Sequence, residues 1–156
     1  MTDVELGGAI KRLENFEPFK MMQVKILHLS PDWRSIRLLL PLSAAARNRQ
    51  GTMFGGFMAS LADPVAALAC GKLYPNYAAW TRKLTIDFVR AGTTDLELRF
   101  EFPIELERMI EKELQEKERS TPTFEYAYYL TDGTPCAGIQ CSVAIRTPGY
   151  RKGPIR

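Results

Sequence analysis

The chain has 156 residues, enough for one domain with a real core. Its 46% hydrophobic and 25% charged residues are ordinary for a globular protein, and a net charge of +3 without a basic, aromatic-studded stripe argues against a nucleic-acid binder. Cys70, Cys136 and Cys141 lie in apolar stretches without metal-binding spacing and read as buried free thiols of a reducing compartment; the opening MTDVELGGAIKRLENF lacks a signal-peptide core, so a cytoplasmic protein is expected.

Residues 4–20 can form a short amphipathic helix ending near Pro18, with Leu13, Phe16 and Phe19 facing inward. Val24–Leu29 and Ile36–Leu40 flank the turn Ser30-Pro31-Asp32 and read as a hairpin. The single histidine, His28, falls in the first of these runs; it leaves no multi-histidine metal site and reads better as structural than as catalytic. Between Gly51 and Gly71 the chain carries one charged side chain, Asp63, in the run GTMFGGFMASLADPVAALACG. Wound as a helix over about 54–73, this run has no face polar enough to meet water, so it belongs in a core or a membrane. It is just long enough to span a bilayer, which takes about 20 residues. Its Ala and Gly content and the Asp63-Pro64 pair near its middle favour the central core helix of a soluble domain. A buried carboxylate is costly unless it is paired or used. Asp63 is therefore either satisfied and idle or a functional group. Pro64 removes one helical N–H, so a local kink is expected.

Thr81–Arg90 alternates, with Leu84, Ile86 and Phe88 on one face, and Leu96–Phe102 alternates without error. The connection Ala91-Gly92-Thr93-Thr94 suggests that these two strands pair antiparallel. Residues 104–119 switch to helical period, with Leu106, Met109, Ile110 and Leu114 in one stripe. Phe124–Thr131 and Cys136–Ile145 follow, joined by the hairpin signal Asp132-Gly133. The expected fold class is α+β: an antiparallel sheet of about six strands wrapped around one long helix, residues 1–147 forming a single domain and residues 148–156 a basic tail. One helix cannot cover such a sheet to its edges, so a homodimer or a dimer of dimers is expected.

The stretch Asn48-Arg-Gln-Gly51-Thr52-Met53-Phe54-Gly55-Gly56, followed by Ser60-Leu-Ala-Asp63, resembles the hot-dog-fold acyl-CoA thioesterases, in the branch related to the phenylacetate-degradation thioesterase. There an Asn precedes a Gly-Gly pair at the start of the central helix, and an acidic residue follows within it. Ile86-Asp-Phe88-Val-Arg90-Ala resembles a second family block, and the inserted helix is similar to that of one subgroup. The resemblance covers roughly residues 22–147. It implies the hot-dog fold and hydrolysis of acyl-CoA or a similar thioester, with Asp63 of one subunit facing Gly55 of the other as base or nucleophile. Many relatives carry His immediately before Gly-Gly, where this chain has Phe54.

The chemistry fits these residues. Thioester hydrolysis builds negative charge on the carbonyl oxygen, and a helix N-terminus offers unpaired N–H groups and a positive dipole end. Gly55 and Gly56 are thus candidate oxyanion donors. Asn48 can orient water or the thioester, or equally cap the turn before the helix. Thr81 is expected on a strand passing the site, in support of Asp63. Arg90, Arg151 and Lys152 are candidates for the phosphates of CoA. Phe54, Phe57, Met58 and Trp80 can line an acyl pocket or simply fill the core. No metal or redox cofactor is expected, CoA entering only as part of the substrate, and no nucleic-acid or membrane partner. The rival classes are a non-catalytic acyl-binding or structural protein and, less well supported by the motif, a hydratase-type lyase.

Overall fold

Local signals start and stop the N-terminal elements. In the computed structural model, which describes residues 1–150, α1 (Asp3–Glu14) opens on a capping box: the Thr2 hydroxyl accepts from the Glu5 amide, and the Glu5 carboxylate accepts from the Thr2 amide at 2.7 Å. The helix expected over 4–20 is two helices. The chain leaves helical geometry at Phe16, and Pro18 sits in the first turn of α2 (Glu17–Met21), a position where its missing N–H costs nothing. Leu13 is half-buried and Phe19 fully buried, but Phe16 stays at the surface, edge-on to Phe19.

The strands are β1 (Lys25–Leu29), β2 (Ser35–Leu40), β3 (Ala78–Phe88), β4 (Leu96–Glu101), β5 (Arg119–Ser120), β6 (Thr123–Tyr129) and β7 (Pro135–Arg146), with α3 (Gly55–Leu73) before β3 and α4 (Ile104–Lys117) after β4. The sheet runs β1-β2-β4-β6-β7-β3, with the two-residue β5 beside β7, and every pairing is antiparallel. Register brings the apolar members of each alternating strand onto one face. Ile36, Leu38 and Leu40 oppose Phe100, Leu98 and Leu96, and Phe124, Tyr126 and Tyr128 oppose Cys141, Ile139 and Ala137. The other face is polar; there Glu97 accepts from both Arg37 and Arg99.

The expected pairing of the Thr81–Arg90 and Leu96–Phe102 strands does not occur. β3 pairs only with β7 and forms an edge, while β4 lies between β2 and β6. The connection after β3 is not a hairpin turn. It crosses the entrance to α3, where the Met53 amide donates to Gly92 O at 2.8 Å. A Cβ on Gly92 would lie 2.6 Å from the Met53 Cβ, so only glycine fits this crossing.

α3 lies against the apolar face of the sheet through Met58, Leu61, Ala62, Val65, Ala66, Ala69 and Cys70, all buried and spaced by three or four residues. Two buried phenols hold it there: Tyr128 donates to Met58 O at 2.7 Å and Tyr126 to Ala62 O at 2.6 Å. The helix continues as a single element through Pro64. Among the described residues, no helix is long and apolar enough to cross a membrane.

The two sheet edges differ. β1 is short and bulged between Ile26 and His28, and the Glu14 carboxylate of α1 accepts from the Ile26 amide at 2.9 Å. These features blunt an edge. β3 has 11 residues, and no strand covers its free side among the described residues.

Candidate functional site

The start of α3 leaves two backbone N–H groups unpaired among the described residues. Phe54 occupies the N-cap position without a side-chain cap. Its carbonyl accepts from Phe57 and Met58, and its own amide donates to Ala46 O at 2.7 Å. That leaves the Gly55 and Gly56 amides, which have no intrahelical acceptor and make no hydrogen bond among the described residues. Two aromatic rings close over this end. A Cβ on Gly56 would lie 2.3 Å from the Phe54 ring, and one on Gly55 would lie 3.2 Å from the Phe88 ring. Glycine at both positions lets the rings lie against the helix backbone. Phe88 was not assigned a site role from sequence; its place at the end of the alternating β3 run is the signal that puts it there.

Asn48 shapes the loop that delivers the chain to this helix. Its Oδ1 accepts from the Gln50 and Thr52 amides, at 2.9 and 3.1 Å, and its Nδ2 donates to the Thr52 hydroxyl at 2.8 Å. Of the two readings open for Asn48, the turn-forming one matches these bonds. Gly51 completes the turn with φ of 81°.

Asp63 is exposed in the single chain, contrary to the expectation that the whole run is buried. The reason lies in which side of α3 the sheet takes. The buried stripe passes through Ala62 and Ala66, leaving Ser60, Asp63, Gly71 and Lys72 open. The Asp63 side chain makes no hydrogen bond or ion pair with any described residue. Its backbone carbonyl accepts from the Thr81 hydroxyl at 2.6 Å, so Thr81 does reach Asp63, through the main chain. The same hydroxyl lies 3.8 Å from the Cys141 thiol, whose pKa burial pushes up.

Between α3 and β3 runs a groove of about 520 Å³, lined by Asp63, Pro64, Ala67 and Leu68 on one side and by Ala79, Trp80 and Thr81 on the other, with Trp33 at one wall. This is an ordinary volume for a small-molecule pocket. Phe54, Trp80, Phe88 and Val89, exposed by 50%, 41%, 53% and 60%, stand at the open edge strand or the adjoining helix start. Met58, by contrast, is buried core, and Phe57 is half-buried against Phe54.

Neither Arg90 nor His28 lines the groove. The Arg90 backbone pairs with Cys136, its N–H donating to Cys136 O at 3.0 Å, while its exposed side chain makes no ion pair with a described residue. Arg151 and Lys152 lie outside the described residues. His28 is exposed on β1, at the opposite sheet edge from β3. Among the described residues no three His, Cys, Asp or Glu side chains are grouped to hold a metal ion.

A family profile described as "Domain of unknown function (DUF4442)" matches residues 13–145. No curated protein matches the chain by sequence. Among solved structures, a Pseudomonas aeruginosa protein of unknown function described as a probable thioesterase is similar at TM-score 0.79 and 20% identity, over 94% of this chain and 97% of its own. A Haemophilus influenzae thioesterase is similar at TM-score 0.71 and 12% identity, over 91% of each chain. The E. coli PaaI protein of the phenylacetic acid degradation operon is similar at TM-score 0.63 and 18% identity, over 93% of this chain and 94% of its own. These likenesses establish the hot-dog fold; a fold by itself does not carry an activity.

Proposed function

The chain belongs to the DUF4442 family, and from that premise we propose that it hydrolyses acyl-CoA or similar thioesters as a homodimer or dimer of dimers. The observation that carries this reading is the pair of unpartnered amides, Gly55 and Gly56, at the start of a 19-residue helix whose open side bears Asp63. Unpaired amides at a helix start can stabilise the oxyanion of a thioester under attack. Asp63 supplies the other half of the reaction, as general base toward water or as nucleophile.

Eight residues of helix rise about 12 Å. Asp63 and Gly55 of one chain therefore cannot serve the same carbonyl carbon. Two copies paired along their free β3 edges remove the difficulty, bringing Asp63 of the partner subunit to the Gly55 amide. The long uncovered edge and the exposed Phe54, Trp80, Phe88 and Val89 support this assembly. The names of the fold neighbours, thioesterases from several bacteria, agree with the reaction class.

One observation favours a rival. Phe54, which has no polar group to offer a carbonyl, lies over Gly56, as it would in a protein that binds acyl thioesters without cleaving them. The test is thiol release from a panel of acyl-CoAs, with sedimentation of the same sample. The thioesterase reading expects turnover of at least one acyl-CoA and a mass of at least twice 17.7 kDa. Binding without turnover across the panel selects the rival, and an active monomer sinks the two-chain site.

A further inference from the structure

Beside the groove at Asp63 lies a second, partly open cavity of about 320 Å³, lined by Leu13 of α1 and by Phe16. The two spaces share three wall residues: Trp33, Pro64 and Leu68. We propose that Trp33 is the specificity-determining residue for acyl-chain length, its ring partitioning the groove that takes the first carbons from the apolar cavity that would take the rest. The proposal rests on the thioester reading above for the identity of the ligand.

Three observations at Trp33 converge. It lines both cavities, and the lining of the second is apolar apart from Arg12. Its backbone is strained: φ is 61°, a left-handed conformation that suits glycine or asparagine and that a bulky side chain rarely adopts. Its indole N–H is buried without a hydrogen-bond partner among the described residues. A buried donor left unpaired in a native structure calls for an explanation beyond packing.

The turn around Trp33 is built to hold it there. The Trp33 amide donates to Ser30 O at 2.9 Å, and the Ser30 amide donates to Ser35 O at 2.9 Å. Asp32 Oδ1 accepts from the Ser30 hydroxyl at 2.7 Å and from the Arg34 amide at 3.1 Å. The Arg34 guanidinium then bridges Asp32, at 2.9 Å, and Glu107 of α4. Strain of this kind persists only where the surroundings over-determine it, and it gathers at ligand-contacting positions. A Trp held in the wall shared by the groove and the apolar cavity fits a ring that ends one and opens onto the other.

Two arms test this. In the first, kcat/KM is measured for acetyl-, hexanoyl-, decanoyl- and palmitoyl-CoA with Trp33→Gly and Trp33→Phe. Glycine removes the ring and suits the left-handed backbone, and thermal melts establish that each variant is folded before its kinetics are read. The expected result is a rise of about tenfold or more in the ratio of long-chain to short-chain kcat/KM for Trp33→Gly, in the range that a few methylenes make in an apolar pocket. Trp33→Phe, which keeps an aromatic partition, should keep the wild-type profile. In the second arm, Trp80→Phe leaves Trp33 as the sole tryptophan, and its fluorescence is titrated with S-decyl-CoA, a thioether that cannot be hydrolysed. A saturable change in emission is expected. If wild type cleaves no acyl-CoA, the thioesterase reading fails, and the same titration with S-ethyl- and S-hexadecyl-CoA, on the Trp80→Phe protein with and without Trp33→Phe, still tests Trp33 against chain length, the doubly substituted chain being the tryptophan-free blank. A chain-length profile of Trp33→Gly that superposes on wild type, or an emission that S-decyl-CoA leaves unchanged, overturns the assignment.

Discussion

Replacing Asp63 by Asn separates a working carboxylate from an idle one, and the geometry lets both halves of the outcome be worked out. The side chain is exposed in the single chain and makes no hydrogen bond or ion pair with a described residue, so the substitution breaks nothing within the chain. The Thr81 hydroxyl holds the Asp63 carbonyl at 2.6 Å, a main-chain contact that Asn retains. Asn also matches Asp in size. Within the chain, a change of this kind stays within about 0.5 kcal/mol. For a chain of this length that moves the melting temperature by about 2 °C at most. Catalysis is different: an amide neither takes a proton from water nor attacks a carbonyl. Loss of a general base lowers the rate by about 10²–10⁴-fold, or about 2.7–5.5 kcal/mol of barrier. The assay is thiol release from the best acyl-CoA, with thermal melts and sedimentation on the same preparations. Asp87→Asn, an exposed carboxylate on the polar face of β3, is the control and should leave kcat unchanged. An Asp63→Asn protein that keeps more than about a tenth of wild-type kcat refutes the mechanism. So does one that loses activity only in step with its melting temperature.

Other outcomes follow from single contacts. Tyr128→Phe removes a buried hydroxyl that donates to Met58 O at 2.7 Å; it should cost about 1 kcal/mol and lower the melting temperature by about 2–4 °C. The Ser30 hydroxyl, with the Arg34 amide and guanidinium, holds the Asp32 carboxyl down to about 2 from its ordinary 3.8. A lowered folded-state pKa means that this contribution is complete above 3.8 and is lost as pH falls through about 2. Melting temperatures should therefore fall more steeply in that window for wild type than for Asp32→Asn; parallel curves would show that the turn network does not titrate. Cys70, Cys136 and Cys141 are all buried, and burial pushes the Cys70 thiol up to about 12. Ellman's reagent at pH 8 should find no reactive thiol in the native protein and all three in urea; a stoichiometric native reaction would show that α3 opens from the sheet.

Most of the elements were legible in the residues alone. Alternation in Leu96–Phe102 and in Phe124–Thr131, the spacing of Leu106, Ile110 and Leu114, and the apolar run over 54–73 each report a local backbone period. The Gly55-Gly56 pair at a helix start, with Asp63 two turns on, is local in the same sense. What the residues did not determine was which strands meet. The Thr81–Arg90 and Leu96–Phe102 runs, adjacent in sequence, lie at different places in the sheet, because the Gly92 loop is held across the entrance to α3 instead of turning back. Pairing is chosen by how the whole apolar face closes over one helix, a sum over distant residues that no short window contains. The same holds for exposure. Asp63 sits in a run with almost no other polar residue, yet it faces out, because the sheet covers only the Ala62–Ala66 side of α3. The rings of Phe54 and Phe88 over the glycines, and Trp33 in the wall of two cavities, are likewise decided by packing between elements remote in the chain. Local periodicity sets the pieces; only the tertiary structure decides which of their faces is left to meet a ligand.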